Sequence, residues 1–336
     1  MTKDQFSIRL HEARLMMGLS MDKLAERTQG VITKQSISRY EKGVMHPKRD
    51  ALMALSQALC ITEDYFLGTH LHIDMPMLRT TSSGKLSEKE LLALEAKLSF
   101  WAEQYLSKEQ EVGIFPNFQN PLATTTVSNR EDAILAANAL REKWNCGDGP
   151  IASILRLLER KGIKILEATL PNGVFGMSTW ADHKYPLMVL DTNPKKTTVE
   201  KLRYTALHEL AHLLLVLPKE AEITIEKRCD LFASFFLIPK STYIEELGAE
   251  HRDTLTLEEM IDIKEVYGIS LSALSITARD YGIISTEYKR LWYDAYLKDN
   301  PWERGLGHYI YPETIGKEKR VNARFNTTVK LPIEKK

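Results

Sequence analysis

Apolar positions along the chain divide it into short helical runs, a central mixed stretch and a second helical half. Over residues 5–67 the apolar side chains recur three and four apart in brief blocks closed by glycine or proline, which predicts five short helices. Phe6, Leu10, Ala13 and residues 15–17 give the first helix its apolar face, and Gly18 ends it. Ser20 is a natural N-cap for a second helix over 21–27, which Thr28, Gln29 and Gly30 close. A third covers 33–41 and stops before Gly43 and Pro47; the fourth and fifth cover 48–60 and 62–67.

Residues 68–85 are polar and small, with a Thr-Thr-Ser-Ser-Gly tract, and read as a linker. His70 and His72 in that tract read as solvated side chains. A charged amphipathic helix follows over 86–106, with Trp101 and Tyr105 turned inward, and then a Pro- and Asn-rich loop over 115–126. Helices are expected at 133–144 and 151–161, and strands at 163–166, 173–180 and 186–191, with a turn at 181–185 that leaves His183 exposed. Thr197 or Thr198 caps a long apolar helix that runs to Leu215. Further helices are expected at 226–238, 255–267, 270–281 and 286–297, before a polar, mildly basic tail.

Composition narrows this only a little. A chain of 336 residues makes two or three domains, and 43% hydrophobic with 27% charged residues is ordinary for a globular protein. Basic and acidic residues both number 45, so any nucleic-acid surface must be local. No apolar run approaches the ~18 residues of a membrane span, and the start lacks the apolar core of a signal peptide. Cys60, Cys146 and Cys229 are far apart and odd in number, which disfavours a disulfide framework and fits a reducing cytoplasm.

The candidate chemistry lies in the long apolar helix, which carries His208-Glu209-Leu210-Ala211-His212. Side chains four apart stand one above the other on a helix, so both imidazoles point the same way, at a separation that suits one tetrahedral zinc ion. Glu209 beside them is placed to act as general base toward a water on that metal. Glu226 and Asp230 share one face of the next helix: Glu226 is the expected third ligand, and Asp230 the acceptor that fixes a histidine tautomer. Tyr204, one turn before His208, is a candidate to polarise a substrate carbonyl. Cys229 reads as a small core residue facing Phe232; a thiolate on the metal would close its open position. Residues alone leave open a buried helix that carries two histidines for other reasons.

Two short helices joined by a tight turn, the second polar on one side, form a helix-turn-helix arrangement, whose second helix enters the DNA major groove. Gln35 suits adenine edges, while Ser36, Ser38 and Arg39 reach bases or phosphates. Lys34, Lys42, Lys48 and Arg49 add positive charge for the backbone. The segment resembles the Cro-like, xenobiotic-response-element family through Leu24-Ala25-Glu26, Ile37-Ser38-Arg39-Tyr40-Glu41-Lys42-Gly43, Pro47 and Tyr65-Phe66-Leu67-Gly68. That resemblance places Gln35, Ser36 and Ser38 on the base-reading face.

Residues 130–240 resemble the ImmA/IrrE family of bacterial metallopeptidases. The likeness rests on Arg203-Tyr204-Thr205 before the His-Glu-x-x-His pentad, on Glu226, Asp230, Phe232 and Ala233, and on Leu237-Ile238-Pro239. Trp144, Gly149-Pro150, Leu155 and Gly162-Ile163 match the family's lead-in. Arg228 stands where the family often has an acid, which makes Glu222 the fallback zinc-binding acid, and Asp230 stands where the family more often has Asn.

The expected fold is α+β: a helical DNA-binding domain over 1–68, a linker and connecting helix over 69–128, a zincin-like domain with a small sheet over 129–285, and a C-terminal helix and tail over 286–336. The resemblances imply a cytoplasmic bacterial regulator of a mobile element, a stress response or a toxin–antitoxin locus. It would bind double-stranded operator DNA as a homodimer, have no membrane association, and cleave a partner repressor or toxin with the help of Zn2+. The other class of function is an antitoxin or transcription factor whose protease-like domain senses or binds protein without catalysis.

Overall fold

The computed structural model describes residues 4–68, 71–74, 87–111, 118–170, 173–311 and 313. His70, most of the expected linker, part of the 115–126 loop and the basic tail with Lys317, Arg320, Arg324, Lys335 and Lys336 lie outside them. The fold is α+β, helix-rich with one small mixed sheet. It divides into two compact units, one of Met1–Phe115 with Thr179–Tyr185, the other of Pro116–Ser178 with Pro186–Lys317.

The first unit is built from α1 (Gln5–Met16), α2 (Met21–Arg27), α3 (Lys34–Glu41), α4 (Arg49–Leu59), α5 (Glu63–Leu67), β1 (Ile73–Asp74) and α6 (Glu88–Glu111). Capping explains the helix starts: the side chains of Asp4, Ser20 and Thr33 accept from the backbone N–H of Ser7, Lys23 and Ser36. Leu10, Leu24, Ile37, Leu55 and Leu59 are fully buried where these helices meet. From the sequence, α6 reads as a connector. Instead it buries Ala96 in this core, with Phe100 packed against it. It is also tied by an ion pair of 2.6 Å between Arg9 and Glu103, in which Arg9 is 2% exposed. A buried guanidinium needs such a partner, and Glu103 is not identifiable as that partner from helical periodicity alone.

A second buried charge holds α3 in place. Glu41, at the end of α3, accepts from Arg14 Nε at 2.5 Å and Arg14 Nη2 at 2.8 Å, and its Oε2 lies 2.8 Å from His11 Nδ1. Burial pushes the Glu41 carboxyl up, but the Arg14 and His11 hydrogen bonds outweigh it and leave the group below its ordinary value. The same unit contains β1, a strand not read from the sequence, whose Ile73 and Asp74 pair antiparallel with Ala181 and Trp180.

The second unit begins with α7 (Arg130–Trp144), α8 (Ile154–Arg160), β2 (Lys164–Ala168), the first half of β3 (Gly176–Ala181, whose last three residues belong to the first unit) and β4 (Tyr185–Asp191, apart from Tyr185). It continues with α9 (Val199–Leu214), α10 (Glu222–Leu237), α11 (Lys240–Leu247), α12 (Leu257–Tyr267), α13 (Leu271–Asp280) and α14 (Thr286–Tyr296). The sheet order is β1-β3-β4-β2, with β2 parallel to β4 from Lys164↔Leu187 to Ala168↔Asp191. Asp182 and His183 make the β3–β4 turn with φ of 48° and 51°, the left-handed values a tight hairpin needs, and His183 is exposed as expected. Helix α11 was not anticipated from the sequence.

Helix α10 packs on α7 and α9, and Phe232, Phe235 and Phe236 are fully buried there. Arg203 anchors the first half of α9. Fully buried, it donates to Glu313 Oε2 at 2.6 Å, to the carbonyls of Gly268, Ile151 and Tyr267, and lies over the Tyr309 ring. Glu313 also accepts from Ser153 Oγ and Leu155 N at the start of α8, so one acid closes both helices onto the same segment.

Candidate metal centre and nucleic-acid interface

Helix α9 forms because Thr198 caps it, Glu200 sits in its first turn, and no glycine or proline interrupts it. Its buried stripe of Ala206, Leu207, Leu210 and Ala211 leaves His208 and His212 one turn apart and edge to face, with ring centroids 5.1 Å and Nε2 atoms 3.2 Å apart. Glu226 arrives from α10, its Oε2 at 3.4 Å from His208 Nε2 and its Oε1 at 3.4 Å from His212 Nε2. His208 is 3% exposed and its Nδ1 lies 2.8 Å from Asp230 Oδ1. A carboxylate there places the imidazole proton on Nδ1 and leaves the Nε2 lone pair facing His212 and Glu226.

These distances test whether zinc fits. Bonds of ~2.0–2.1 Å in tetrahedral geometry separate neighbouring donor atoms by about 3.3 Å. Donor separations of 3.2, 3.4 and 3.4 Å match that value. Two imidazole nitrogens and a carboxylate also form a set of electron-pair donors, which a dication satisfies together. The expected fallback, Glu222, lies in the exposed first turn of α10. Arg228, where a family acid is more usual, is paired with Glu220 at 2.8 Å.

Glu209 is 4% exposed, and Ser178 Oγ on β3 donates to its Oε2 at 2.7 Å. Close contact between β3 and α9 depends on Gly176, since a Cβ there would stand 2.6 Å from Thr205 Cγ2 and 3.2 Å from Glu209 Cγ. Neither residue stands out from the sequence pattern. The glycine inside a strand is a weak signal of close approach, whereas nothing local marks Ser178.

Tyr204, the candidate to polarise a carbonyl, lies where α9 meets α10. Its hydroxyl donates to the backbone carbonyl of Asp230 at 3.0 Å, so its one proton is committed to joining α9 to α10. Burial pushes its pKa strongly upward as well. Cys229 is fully buried, as expected, but its Sγ also lies 3.7 Å from Nδ1 of His212. His208, His212 and Cys229 each offer one ligand atom, all within 4.8 Å of one another. A cavity of about 550 Å3 borders Tyr204, Asp230, Ser234, Ser272 and Trp302, but none of His208, Glu209, His212 or Glu226 lines it. It therefore lies on the Asp230 flank, away from the converging Nε2 atoms.

In the first unit, α3 presents Lys34, Gln35 and Arg39 exposed, with Ser36 and Ser38 half-buried and Lys42 exposed just beyond its end. Ile37 and Tyr40 face inward, so the polar stripe is what remains for a partner. Lys34 is paired with Asp22 at 2.8 Å, both more than half exposed, a contact worth little in water. Thr28, Gln29 and Gly30 turn the chain between α2 and α3, with positive φ at Gln29 and Gly30.

Residues 10–66 match the family model described as helix-turn-helix, and residues 158–279 match the peptidase-family model described as IrrE N-terminal-like domain. A search of curated proteins found no match. None of the helices among the described residues is long and apolar enough to cross a membrane. The chain thus joins a Cro-like helix-turn-helix domain, the type that binds DNA, to an ImmA/IrrE-like domain of a metallopeptidase family.

Proposed function

We propose that this protein is a cytoplasmic bacterial regulator that binds operator DNA as a homodimer and cleaves a partner repressor or toxin with a zinc endopeptidase site. The convergence of His208 Nε2, His212 Nε2 and the Glu226 carboxylate, at spacings suited to one tetrahedral ion, carries this reading. His208, His212 and Glu226 would hold a zinc ion, which when bound would supply a Lewis acid for the attack of water.

The remaining steps belong to side chains of the chain itself. Glu209, held by Ser178, takes a proton from the attacking water and returns it to the leaving amine. Burial keeps this carboxylate out of bulk water, and the serine hydrogen bond fixes its direction. Asp230 holds His208 in the tautomer that presents Nε2. Strand β3, which carries Ser178, is where an extended peptide would pair backbone to backbone. On DNA, Gln35, Ser36, Ser38 and Arg39 read bases or phosphates, while Lys34 and Lys42 neutralise backbone charge.

The test is to incubate the full chain with the repressor or toxin encoded beside it, as wild type and as Glu209→Gln, measuring zinc content in parallel. Cleavage by wild type alone, with stoichiometric zinc in both, is the expected result. Cleavage by Glu209→Gln overturns the assigned base. Zinc binding and DNA binding without cleavage of any partner point to a sensing or protein-binding module.

A further inference from the structure

We infer that Cys229 is a positioning residue for His212, accepting a hydrogen bond from its Nδ1–H and so holding the Nε2 lone pair toward the metal. The inference rests on the zinc reading above and starts from a difference between the two histidines. His208 has a carboxylate against its outer nitrogen, Asp230 Oδ1 at 2.8 Å. His212 has a sulfur against its outer nitrogen, Cys229 Sγ at 3.7 Å, within ordinary hydrogen-bond reach for sulfur. Helical spacing places both partners: Cys229 and Asp230 are adjacent on α10, as Glu226 is one turn before them.

The tautomer argument gives the contact its role. A neutral imidazole carries one proton, and a nitrogen bound to a metal cannot be the one that carries it. Nε2 of His212 faces His208 Nε2 and Glu226 Oε1, so the proton belongs on Nδ1, where the sulfur accepts it. Were the thiol to donate to Nδ1 instead, the ring proton would move to Nε2 and block the ligand position. Acceptance by sulfur and metal binding by Nε2 are therefore one coupled state.

The same geometry argues against Cys229 as the third ligand, although its sulfur groups with both histidines. The two nitrogens of an imidazole point in diverging directions, so a sulfur held against Nδ1 lies away from Nε2, the nitrogen that is 3.4 Å from Glu226 Oε1. His208, His212 and Glu226 then hold the ion and leave its fourth position open, as a catalytic site requires.

Cobalt(II) substituted into the full chain tests this directly, with zinc affinity from chelator competition as a second readout. The wild type is expected to bind cobalt without an intense near-ultraviolet thiolate-to-metal band. Cys229→Ser keeps an acceptor and is expected to hold zinc more tightly than Cys229→Val, which fills the space but accepts nothing and loses about tenfold in affinity. Cys229→Ala repeats the comparison without the added methyls. A purely structural cysteine gives the opposite order, because a fully buried site favours Val over Ser, and that result overturns the inference. A thiolate band overturns it too, by making Cys229 a ligand. Failure of the wild type to bind either metal overturns the zinc reading itself, and the positioning role with it.

Discussion

The two units each bury a cluster of titratable groups, and the clusters differ in their electrostatic balance. In the first unit Arg14 and Glu41 neutralise each other through hydrogen bonds of 2.5 and 2.8 Å, with His11 completing the contact. That set is closed: every strong donor faces an acceptor, and its effect is to fix α3 against α1. In the second unit His208, His212 and Glu226 bring two imidazole nitrogens and a carboxylate within 3.2 to 3.4 Å of one another. Each of these groups can serve as a metal ligand, whereas the first cluster pairs a cation with an anion. Burial alone does not separate the two clusters; the chemistry of the donor set does.

The largest expected effect tests the second cluster. Glu209→Gln should lower peptide-bond hydrolysis by about 10²- to 10⁴-fold while zinc content stays stoichiometric, since the change removes a general base and leaves the ligands. Loss of zinc together with activity would show that Glu209 is needed to assemble the site, and its role as base would no longer stand apart. In the first cluster, Arg14→Met strands a buried carboxylate and should destabilise the DNA-binding unit by about 3–5 kcal/mol, read by denaturant unfolding. Replacing both partners, as Arg14→Met with Glu41→Leu, should recover most of that loss. If the double variant is no better than the single, the closed-pair account is wrong.

Metal addition separates the clusters next. Free zinc at ~100 times its Kd should stabilise the second unit by about 2.7 kcal/mol, with no shift in the transition of the first. A shift confined to the first unit would reverse the assignment of the two clusters. On the DNA side, Gln35→Ala should weaken operator binding by about 1–3 kcal/mol and relax preference at one base position, measured by competition between operator variants. An unchanged preference would remove Gln35 from the reading face.

Acid gives the mildest test. The Glu41 carboxyl sits below its ordinary value of 4.5 in the folded state, because the Arg14 and His11 hydrogen bonds outweigh its burial. Its stabilising effect is therefore fully present above pH 4.5 and fades as pH falls through the lower folded value. Thermal melts of the full chain between neutral pH and pH 3 should show the first unit weakening in that window, and Glu41→Gln should flatten the response. A first unit whose stability rises on acidification would contradict the lowered value.

Local pattern fixed a good deal. Helix α9, its Thr198 cap and the shared face of His208 and His212 follow from i, i+4 spacing in a run without glycine or proline. Glu226 and Asp230 follow from the same rule on α10, as do the short capped helices that carry Gln35 and Arg39. Each is a relation between residues a few positions apart, which the helix repeat sets before any tertiary contact forms.

Tertiary structure decided the pairings between distant segments. Ser178 meets Glu209 across 31 positions, Tyr204 spends its proton on the Asp230 carbonyl, and Arg9 finds Glu103 on a helix that reads as a mere connector. Cys229 was legible as buried, but not as the neighbour of one particular imidazole nitrogen. Periodicity fixes which face of a helix is buried and says nothing of what comes to lie against it. That choice depends on how whole elements pack, and side-chain reach and tautomer then follow from the packing.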